Sequence, residues 1–244
     1  MNWLRSVLFF VWFVVMSVAT HIIFLPALFL SRRASVLAAR SWCAGILWGL
    51  RTIARLDYEV RGEIPRQASL VASKHMSMWD TVAIFYTIGD PVFVLKRELM
   101  RVPFYGWYAQ RVGMIAIDRE AGSNALRSMT KAVKQALANG LSVIIFPEGT
   151  RKSIGSPADY KPGVAALYHQ LDQPCIPVAL NSGLFWTGPA GFLKKRGRIV
   201  LQFLPAIEPG LKRGEFMRTL EEQIEQATSE LLREGKALLN SRTG

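Results

Sequence analysis

Cysteine and histidine are scarce in this sequence of 244 residues. Two cysteines exclude a disulfide framework, and with only three histidines a zinc site of the Cys/His type is disfavoured. The sequence contains neither a P-loop nor a G-x-G-x-x-G fingerprint, which argues against nucleotide hydrolysis and dinucleotide chemistry. It also lacks internal repeats and low-complexity linkers, so its length suits one compact domain with an appendage.

Acidic residues are also few, with 18 Asp and Glu against 30 Lys and Arg, so the formal net charge is +12. Half of the residues are hydrophobic and the mean hydropathy is +0.20, which excludes intrinsic disorder. A protein that binds nucleic acid is basic but is not usually this apolar. The combination therefore favours anionic membrane lipids as partners, and no nucleic acid.

Residues 1–56 predict an N-terminal membrane-associated helical hairpin. Residues 7–30 contain no Lys, Arg, Asp or Glu, and about 20 apolar residues are enough to span a bilayer. This run exceeds the roughly 7–15 apolar residues of a signal peptide, and Ser31-Arg32-Arg33 follows it like a stop signal rather than a cleavage site. A second helical stretch, residues 34–56, combines apolar spacing with arginines, as in an amphipathic helix lying on an anionic surface.

Three arrangements of this hairpin are compatible with the sequence. Because Pro26 and His21 interrupt the apolar run, a bent and partly submerged hairpin fits as well as a true crossing. A hairpin buried in a protein core is the third arrangement. Arginines that follow an apolar run mark the cytoplasmic side, so we expect residues beyond 31 to lie in the cytoplasm.

Residues 57–244 have the pattern of an α/β domain. Short apolar runs alternate with helical patterns, which predicts a mixed, largely parallel sheet covered by helices. The clearest helices are predicted at 123–139 and 215–239. The predicted strands are 69–73, 92–95, 114–117, 142–146, 176–180 and 198–203.

A histidine and an aspartate five residues apart are the first candidates for catalysis. His75 falls in the loop after the first predicted strand, and Asp80 falls in the first turn of the next helix. On one straight helix the two would point about 140° apart, but at a strand-to-helix junction they can meet. The carboxylate can then keep one imidazole nitrogen protonated, which leaves the other free to act as a general base. A hydrogen-bonded pair with a purely structural role is the alternative.

No protein nucleophile accompanies this pair in the sequence. Ser77 lies between the two residues, Cys43 falls in the predicted hairpin, and Cys175 falls at the start of a strand. A base without a protein nucleophile points to activation of a hydroxyl group on a substrate.

The turn after the fourth predicted strand is a candidate phosphate site. Pro147 ends the strand, and Gly149 permits close approach to the backbone. Arg151 offers a fork of donors to a phosphate and Thr150 offers a hydroxyl, while Glu148 can hold the arginine or bind a substrate hydroxyl. A surface turn with a structural Glu–Arg pair is the alternative.

Cations also cluster after the second and third predicted strands, with glycines and aromatic residues between them. Lys96 and Arg119 are the candidate phosphate partners in this region. For each of them, a solvated and salt-paired loop residue is the alternative.

Taken in order, these residues resemble the lysophosphatidic acid acyltransferase family, the 1-acylglycerol-3-phosphate O-acyltransferases. Four blocks between residues 71 and 180 carry the resemblance, and the ordered set is more specific than any single block. The hairpin also looks like that of bacterial members. The blocks are His75-x₄-Asp80; Lys96-Arg-Glu-Leu through Pro103-Phe104 and Gly106 to Asp118-Arg119; Phe146-Pro-Glu-Gly-Thr-Arg151; and Ile176-Pro-Val-Ala179.

The resemblance implies transfer of a fatty acyl chain from acyl-CoA or acyl-carrier protein to the sn-2 hydroxyl of 1-acylglycerol 3-phosphate. The product is phosphatidic acid. It implies that His75 is the general base and Asp80 its partner, and that neither a metal nor a cofactor is needed. A location at the cytoplasmic face of a bacterial inner membrane is implied as well.

The same resemblance assigns the phosphate site. Arg151, with Lys96 and Arg119, would bind the glycerol phosphate of the acceptor. The pocket around that phosphate would be shaped by Glu148, Gly149 and Thr150.

The sequence departs from the family at both neighbours of the histidine. The family often has Asn before it and Gln after it, where this sequence has Lys74 and Met76. Neither residue belongs to the proton relay, so the departure bears on the acceptor rather than on the mechanism. The alternatives are another lysolipid acceptor, a thioester or lipid hydrolase, and a non-catalytic membrane-binding protein.

A loop at residues 184–198 combines aromatic residues with four cations. This composition predicts contact with a membrane surface, and a solvated hairpin is the alternative.

Overall fold

An N-terminal helical hairpin and an α/β body make up the computed structural model, which describes residues 2–118, 122–187 and 191–240. The hairpin comprises α1 (Asn2–Ile23), the short α2 (Ala27–Leu30) and α3 (Arg32–Thr52). The strands of the body are β1 (Leu56–Arg61), β2 (Leu70–Ser73), β3 (Val92–Lys96), β4 (Ile115–Ile117), β5 (Val143–Ile145), β6 (Cys175–Leu180) and β7 (Gly197–Phe203). Its helices are α4 (Met78–Ile88), α5 (Tyr105–Val112), α6 (Gly122–Ala138), α7 (Gly163–Leu171) and α8 (Arg213–Asn240), with 3₁₀ turns at Arg97–Arg101 and Ser182–Leu184.

The strands of the described residues form one sheet in the order β1-β7-β6-β2-β5-β3-β4. Every neighbouring pair is parallel except β6 and β7, which are antiparallel. Long amphipathic helices such as α6 and α8 bury one face against the sheet. The predicted fold class, a mixed and largely parallel sheet covered by helices, is confirmed.

The junction between hairpin and body differs from the expectation that a helix runs to residue 56. α3 ends at Thr52, and Arg55 adopts a left-handed backbone with φ 56°. This conformation stops the helical path, and Leu56 then starts β1 at the edge of the sheet beside β7. The sequence pattern misses β1 because the segment Leu-Asp-Tyr-Glu-Val-Arg alternates apolar and charged residues and has only Leu56 fully buried.

α3 is a core helix, which corrects the expectation of an amphipathic helix lying on an anionic surface. Its residues Cys43, Ile46 and Leu50 are buried in the same apolar cluster as Val71 of β2. Protein covers most of the apolar stripe because α3 packs against α1 and α4, while Leu37 and Trp48 stay more than half exposed. The hairpin and the body therefore share one hydrophobic core, and residue 56 marks a change of secondary structure rather than a break in packing.

α1 presents most of its apolar side chains outward, and only Ser6 and Phe9 of this helix are buried. Within the described residues, it is the helix long and apolar enough to cross a membrane by length and composition. Both of its ends nevertheless contact the body. Ser6 Oγ accepts the backbone N–H of Lys194 at 2.8 Å, and the rings of His21 and Phe104 lie 5.2 Å apart. α1 thus contacts the body at both ends and packs on α3 in between.

The loop predicted to touch a membrane is covered in part by α1. Lys194 is buried there, with its Nζ atom 4.2 Å from the ring centroid of Trp186, so this cation is not available to lipid headgroups. Phe192 is exposed and packs beside Phe10 of α1, with ring centroids 5.8 Å apart. The aromatic part of the loop therefore extends the outward apolar face of α1, whereas residues 188–190 lie outside the described residues.

Candidate active site

The candidate site lies at the carboxyl ends of the parallel strands β2, β3, β5 and β6, along one edge of the sheet. His75 follows β2, Lys96 ends β3, and Ser182 follows β6. The segment 146–151 follows β5 at the same edge. Because parallel strands present their carboxyl ends at one edge, residues far apart in the sequence come together here.

His75 and Asp80 are in direct contact, as their positions at a strand-to-helix junction predict. The Nδ1 atom of His75 lies 3.0 Å from Oδ2 of Asp80. Ser77 caps α4 by accepting the N–H of Trp79, and Asp80 completes a capping box with the backbone of Ser77. This local geometry turns the carboxylate back toward the loop that carries the histidine.

Asp80 is fully buried and is fixed by further hydrogen bonds. Oδ2 accepts the backbone N–H groups of Met76 at 2.6 Å and Ser77 at 2.8 Å, while Oδ1 accepts the hydroxyl of Ser182 at 2.5 Å. Sequence reasoning misses Ser182, which lies 102 residues downstream of Asp80. Its position directly after the carboxyl end of β6 is the signal that could have identified it.

Phe146 holds the imidazole of His75 from one face. The two rings are stacked with their centroids 3.9 Å apart. Since the carboxylate of Asp80 can only accept, Nδ1 carries the proton and Nε2 carries the lone pair of the neutral ring. The His75 side chain is 11% exposed, so a substrate group can reach the ring.

The loop that follows Pro147 lies against the backbone of His75. The N–H of Lys152 donates to the carbonyl oxygen of His75 at 2.9 Å. Gly149 has φ 65°, a left-handed conformation that suits glycine in a tight turn. The loop that carries His75 and the candidate phosphate loop are therefore joined through their main chains.

Glu148 is buried beneath this loop. Its Oε1 atom lies 2.7 Å from Nζ of Lys74, and its Oε2 atom accepts the N–H of His75 at 3.3 Å. Burial raises the pKa of Glu148, and the Lys74 ammonium opposes that rise. Glu148 thus shapes the loop from below through a partner, Lys74, that the sequence does not suggest.

Thr150, Arg151 and Lys96 are the remaining phosphate candidates among the described residues. Thr150 is exposed and Arg151 is half-buried. Burial raises the pKa of Tyr105, the first residue of α5, and the positive charge of Arg151 opposes the rise. Lys96 is exposed at the end of β3, and Arg119 lies outside the described residues.

The cysteines and Ser77 are poorly suited to nucleophilic catalysis. Cys43 and Cys175 are buried, and burial raises the pKa of each thiol to about 12. The Ser77 hydroxyl is buried and faces the Ser182 hydroxyl at 2.9 Å. The arrangement is that of an α/β enzyme suited to activating a substrate hydroxyl with a histidine that an aspartate orients.

Comparisons with known proteins agree with this class. The model of the Acyltransferase family matches residues 55–181. A 1-acyl-sn-glycerol-3-phosphate acyltransferase of Pseudomonas aeruginosa is 36% identical over 200 residues, which cover 80% of this chain and 76% of that protein. A 1-acyl-sn-glycerol-3-phosphate acyltransferase alpha of Mus musculus is 31% identical over 67% of this chain and 57% of its own length. The chain belongs to the acyltransferase family, and the resemblance seen in the sequence is confirmed.

A solved structure has the same fold. The 1-acyl-sn-glycerophosphate acyltransferase PlsC of Thermotoga maritima superimposes with a TM-score of 0.78, and the match covers 95% of this chain and 98% of that one. The two sequences are 21% identical, so this likeness concerns the fold.

Proposed function

We propose that the chain transfers a fatty acyl chain from a thioester donor, acyl-CoA or acyl-carrier protein, to the sn-2 hydroxyl of 1-acylglycerol 3-phosphate. The product would be phosphatidic acid. The observation that carries the proposal is the 3.0 Å contact between His75 and Asp80 beside the loop of Arg151. The names of the Pseudomonas aeruginosa and Mus musculus relatives support this acceptor.

In the proposed reaction, Nε2 of His75 removes the proton of the acceptor hydroxyl as its oxygen attacks the thioester carbonyl. Asp80 stabilises the imidazolium that forms. The tetrahedral intermediate then breaks its C–S bond, and the thiolate of the donor leaves and takes the proton from His75. No acyl-enzyme, metal or cofactor takes part in this scheme, and general-base assistance of this kind contributes about 10²–10⁴-fold to a rate.

The acceptor phosphate would bind on the outer side of the site. Arg151 offers a bidentate guanidinium, and Lys96 and Arg119 add positive charge. Gly149 and Thr150 line the turn, and Glu148 supports it from below. A hydroxyl near the phosphate end of the acceptor would then lie close to the imidazole, because the turn and the catalytic loop are joined at His75 and Lys152.

The hairpin supports a location on a membrane. Because both ends of α1 contact the body, a partly submerged helix fits better than a crossing. We place it at the cytoplasmic face of a bacterial inner membrane, with anionic lipids as partners of the basic surface. The hairpin side chains that are more than half exposed include Trp3, Phe10, Ile22, Ile23, Phe29 and Leu30.

A panel of lysolipid acceptors, each assayed with one acyl-CoA and one acyl-carrier protein, tests the proposal. We expect phosphatidic acid from 1-acylglycerol 3-phosphate, and a loss of about 10²-fold or more in kcat for His75→Ala. Arg151→Ala should raise the KM for this acceptor by about 10-fold or more, while the KM for the donor stays constant. Arg66→Ala, an exposed arginine in the loop after β1, is the matched control. Full turnover by a folded His75→Ala enzyme would remove the proposed base.

A second acceptor class has one supporting observation. A lyso-ornithine lipid O-acyltransferase of Pseudomonas aeruginosa is 34% identical over 42% of this chain. The same panel separates the two, because a lyso-ornithine lipid lacks the phosphate that Arg151 would bind. Release of free fatty acid without any acylated acceptor would instead identify a hydrolase.

A further inference from the structure

A buried charge cluster lies directly behind the catalytic histidine. We call it the Lys74 cluster, and it consists of Lys74, Glu148, Tyr160 and Glu225. The ammonium of Lys74 lies 2.7 Å from Oε1 of Glu148 and 2.6 Å from Oε1 of Glu225, and its side chain is only 4% exposed. The hydroxyl of Tyr160 donates to the same oxygen of Glu225 at 3.0 Å. One cation thus holds two carboxylates from different parts of the chain.

The cluster is connected to the backbone on both sides of the imidazole. The second oxygen of Glu148 accepts the N–H of His75, and the carbonyl of His75 accepts the N–H of Lys152. Lys74 itself precedes His75, and its own N–H donates to the carbonyl of Val178 in β6. The position of His75 relative to the turn with Arg151 therefore depends on where the carboxylate of Glu148 is held.

An unpaired carboxylate would not stay in this place. Glu148 has a side chain with 0% exposure, and burial without a partner favours the neutral acid or a move toward water. Glu225 differs, because its side chain is 32% exposed and can be hydrated without Lys74. Lys74 is thus the group that keeps Glu148 charged and in contact with the N–H of His75.

We propose that Lys74 is a positioning residue, whose ammonium fixes Glu148 and thereby sets the distance between the imidazole of His75 and the phosphate-binding turn. It touches neither substrate nor reacting atoms. The kinetic effect of this role rests on the proposed function, but the link between Lys74 and the two loops can be tested without measuring turnover. If the turn with Arg151 moves away from His75, the hydroxyl of a bound acceptor is no longer aligned with the imidazole. We therefore expect kcat to fall by more than KM rises.

The test compares Lys74→Met with Lys134→Met, the same change at an exposed lysine of α6. A misplacement of about 1 Å costs about 10²-fold in rate, so we expect kcat of Lys74→Met to fall by roughly 30-fold or more while each KM changes by less than about 3-fold. In Lys74→Met/Glu148→Gln no unpaired buried charge remains, so kcat should recover by about 5-fold or more. Equal kcat in the two methionine variants, or no recovery in the double variant, overturns the proposal.

Amide hydrogen exchange measured by NMR gives the second readout. In Lys74→Met, exchange should accelerate at His75 and Lys152, whose N–H groups join the two loops, and stay unchanged at Met76 and Ser77, whose N–H groups bind Asp80. Equal acceleration at all four amides would indicate general destabilisation and overturn the positioning role. If the wild type transfers no acyl chain to any acceptor, the proposed function fails while this exchange pattern still decides the role of Lys74.

Glu225→Gln covers the case in which Lys74→Met does not fold. It removes the second carboxylate that holds the Lys74 ammonium, so the ammonium, and with it Glu148, is fixed less firmly. We expect a smaller fall in kcat, about 3–10-fold, with faster exchange at the same two amides. Wild-type kcat together with wild-type exchange in this variant contradicts the proposal.

Discussion

The charge of Asp80 can be removed while its hydrogen bonds are kept. In Asp80→Asn, the amide oxygen can occupy the position of Oδ2 and accept from His75, Met76 and Ser77. The amide nitrogen then faces Ser182, whose hydroxyl can rotate and accept. The tautomer of the histidine is preserved, and the variant isolates the effect of the negative charge.

Two estimates bracket the expected loss of activity. A hydrogen bond to a charged group exceeds a neutral one by about 1–2 kcal/mol, which corresponds to roughly 5–30-fold in rate. Two unit charges about 4 Å apart interact with about 4 kcal/mol at an effective dielectric constant of 20, which corresponds to roughly 10³-fold. We therefore expect kcat of Asp80→Asn to fall by about 10²-fold, because the imidazolium loses its counter-charge in the transition state.

The assay is the initial rate of phosphatidic acid formation at saturating donor and acceptor, with thermal unfolding as the check of folding. Asp172→Asn is the matched control, because Asp172 is exposed and its left-handed backbone (φ 49°) suits asparagine equally well. A loss of less than about 3-fold would refute the formation of an imidazolium beside Asp80. A loss larger than the upper estimate of roughly 10³-fold would show that the amide nitrogen faces the imidazole, and that orientation rather than charge is the main contribution.

Three further predictions concern other parts of the molecule. Ser182→Ala removes the donor to Oδ1 of Asp80 and should lower kcat by about 3–10-fold with unchanged KM; an unchanged kcat would mean that Ser182 does not orient the carboxylate. Phe29→Ser should weaken binding to anionic liposomes by about 10–100-fold, since Phe29 of α2 is 81% exposed. Ile64→Ser, in the loop after the edge strand β1, should leave this binding unchanged. Equal binding of the two variants would contradict membrane contact by α2. Burial lowers the pKa of Lys194 to about 8, so this ammonium loses its proton at a lower pH in the folded state than in the unfolded state. The free energy of unfolding should therefore rise between about pH 8 and 10.5. Thermal unfolding at pH 7 and pH 10 measures this effect, and the Tm of Lys194→Met should lack the contribution that Lys194 makes in the wild type. An identical pH dependence of Tm in both proteins would contradict the lowered pKa of Lys194.

Much of the fold follows from local patterns. The predicted strands coincide with β2 to β7 within one or two residues, because each is a short apolar run between turn residues. β1 and the burial of α3 do not follow from such patterns. An alternating edge strand resembles a surface segment, and a helix with an apolar stripe has the same sequence whether lipid or protein covers that stripe.

The candidate site likewise has a part that local sequence predicts and a part that it does not predict. The contact of His75 with Asp80 is encoded within six residues, because a capping box at Ser77 turns the carboxylate back toward the loop. The pairing of Lys74 with Glu148 and Glu225 spans 74 and 151 residues, and nothing near any of the three residues indicates it.

The sequence by itself therefore determined the local features of the candidate site and of the N-terminal segment: an imidazole with an adjacent carboxylate, a cationic turn, and an apolar N-terminal run. These depend on residue types within a few positions of one another, whose geometry local hydrogen bonds and turns dictate. The tertiary structure alone decided which distant groups contact these residues. Ser182 donates a hydrogen bond to Asp80, and Lys74 forms an ion pair with Glu148. The reason is that the order of strands in the sheet, rather than distance along the chain, brings the carboxyl ends of β2, β5 and β6 to one edge.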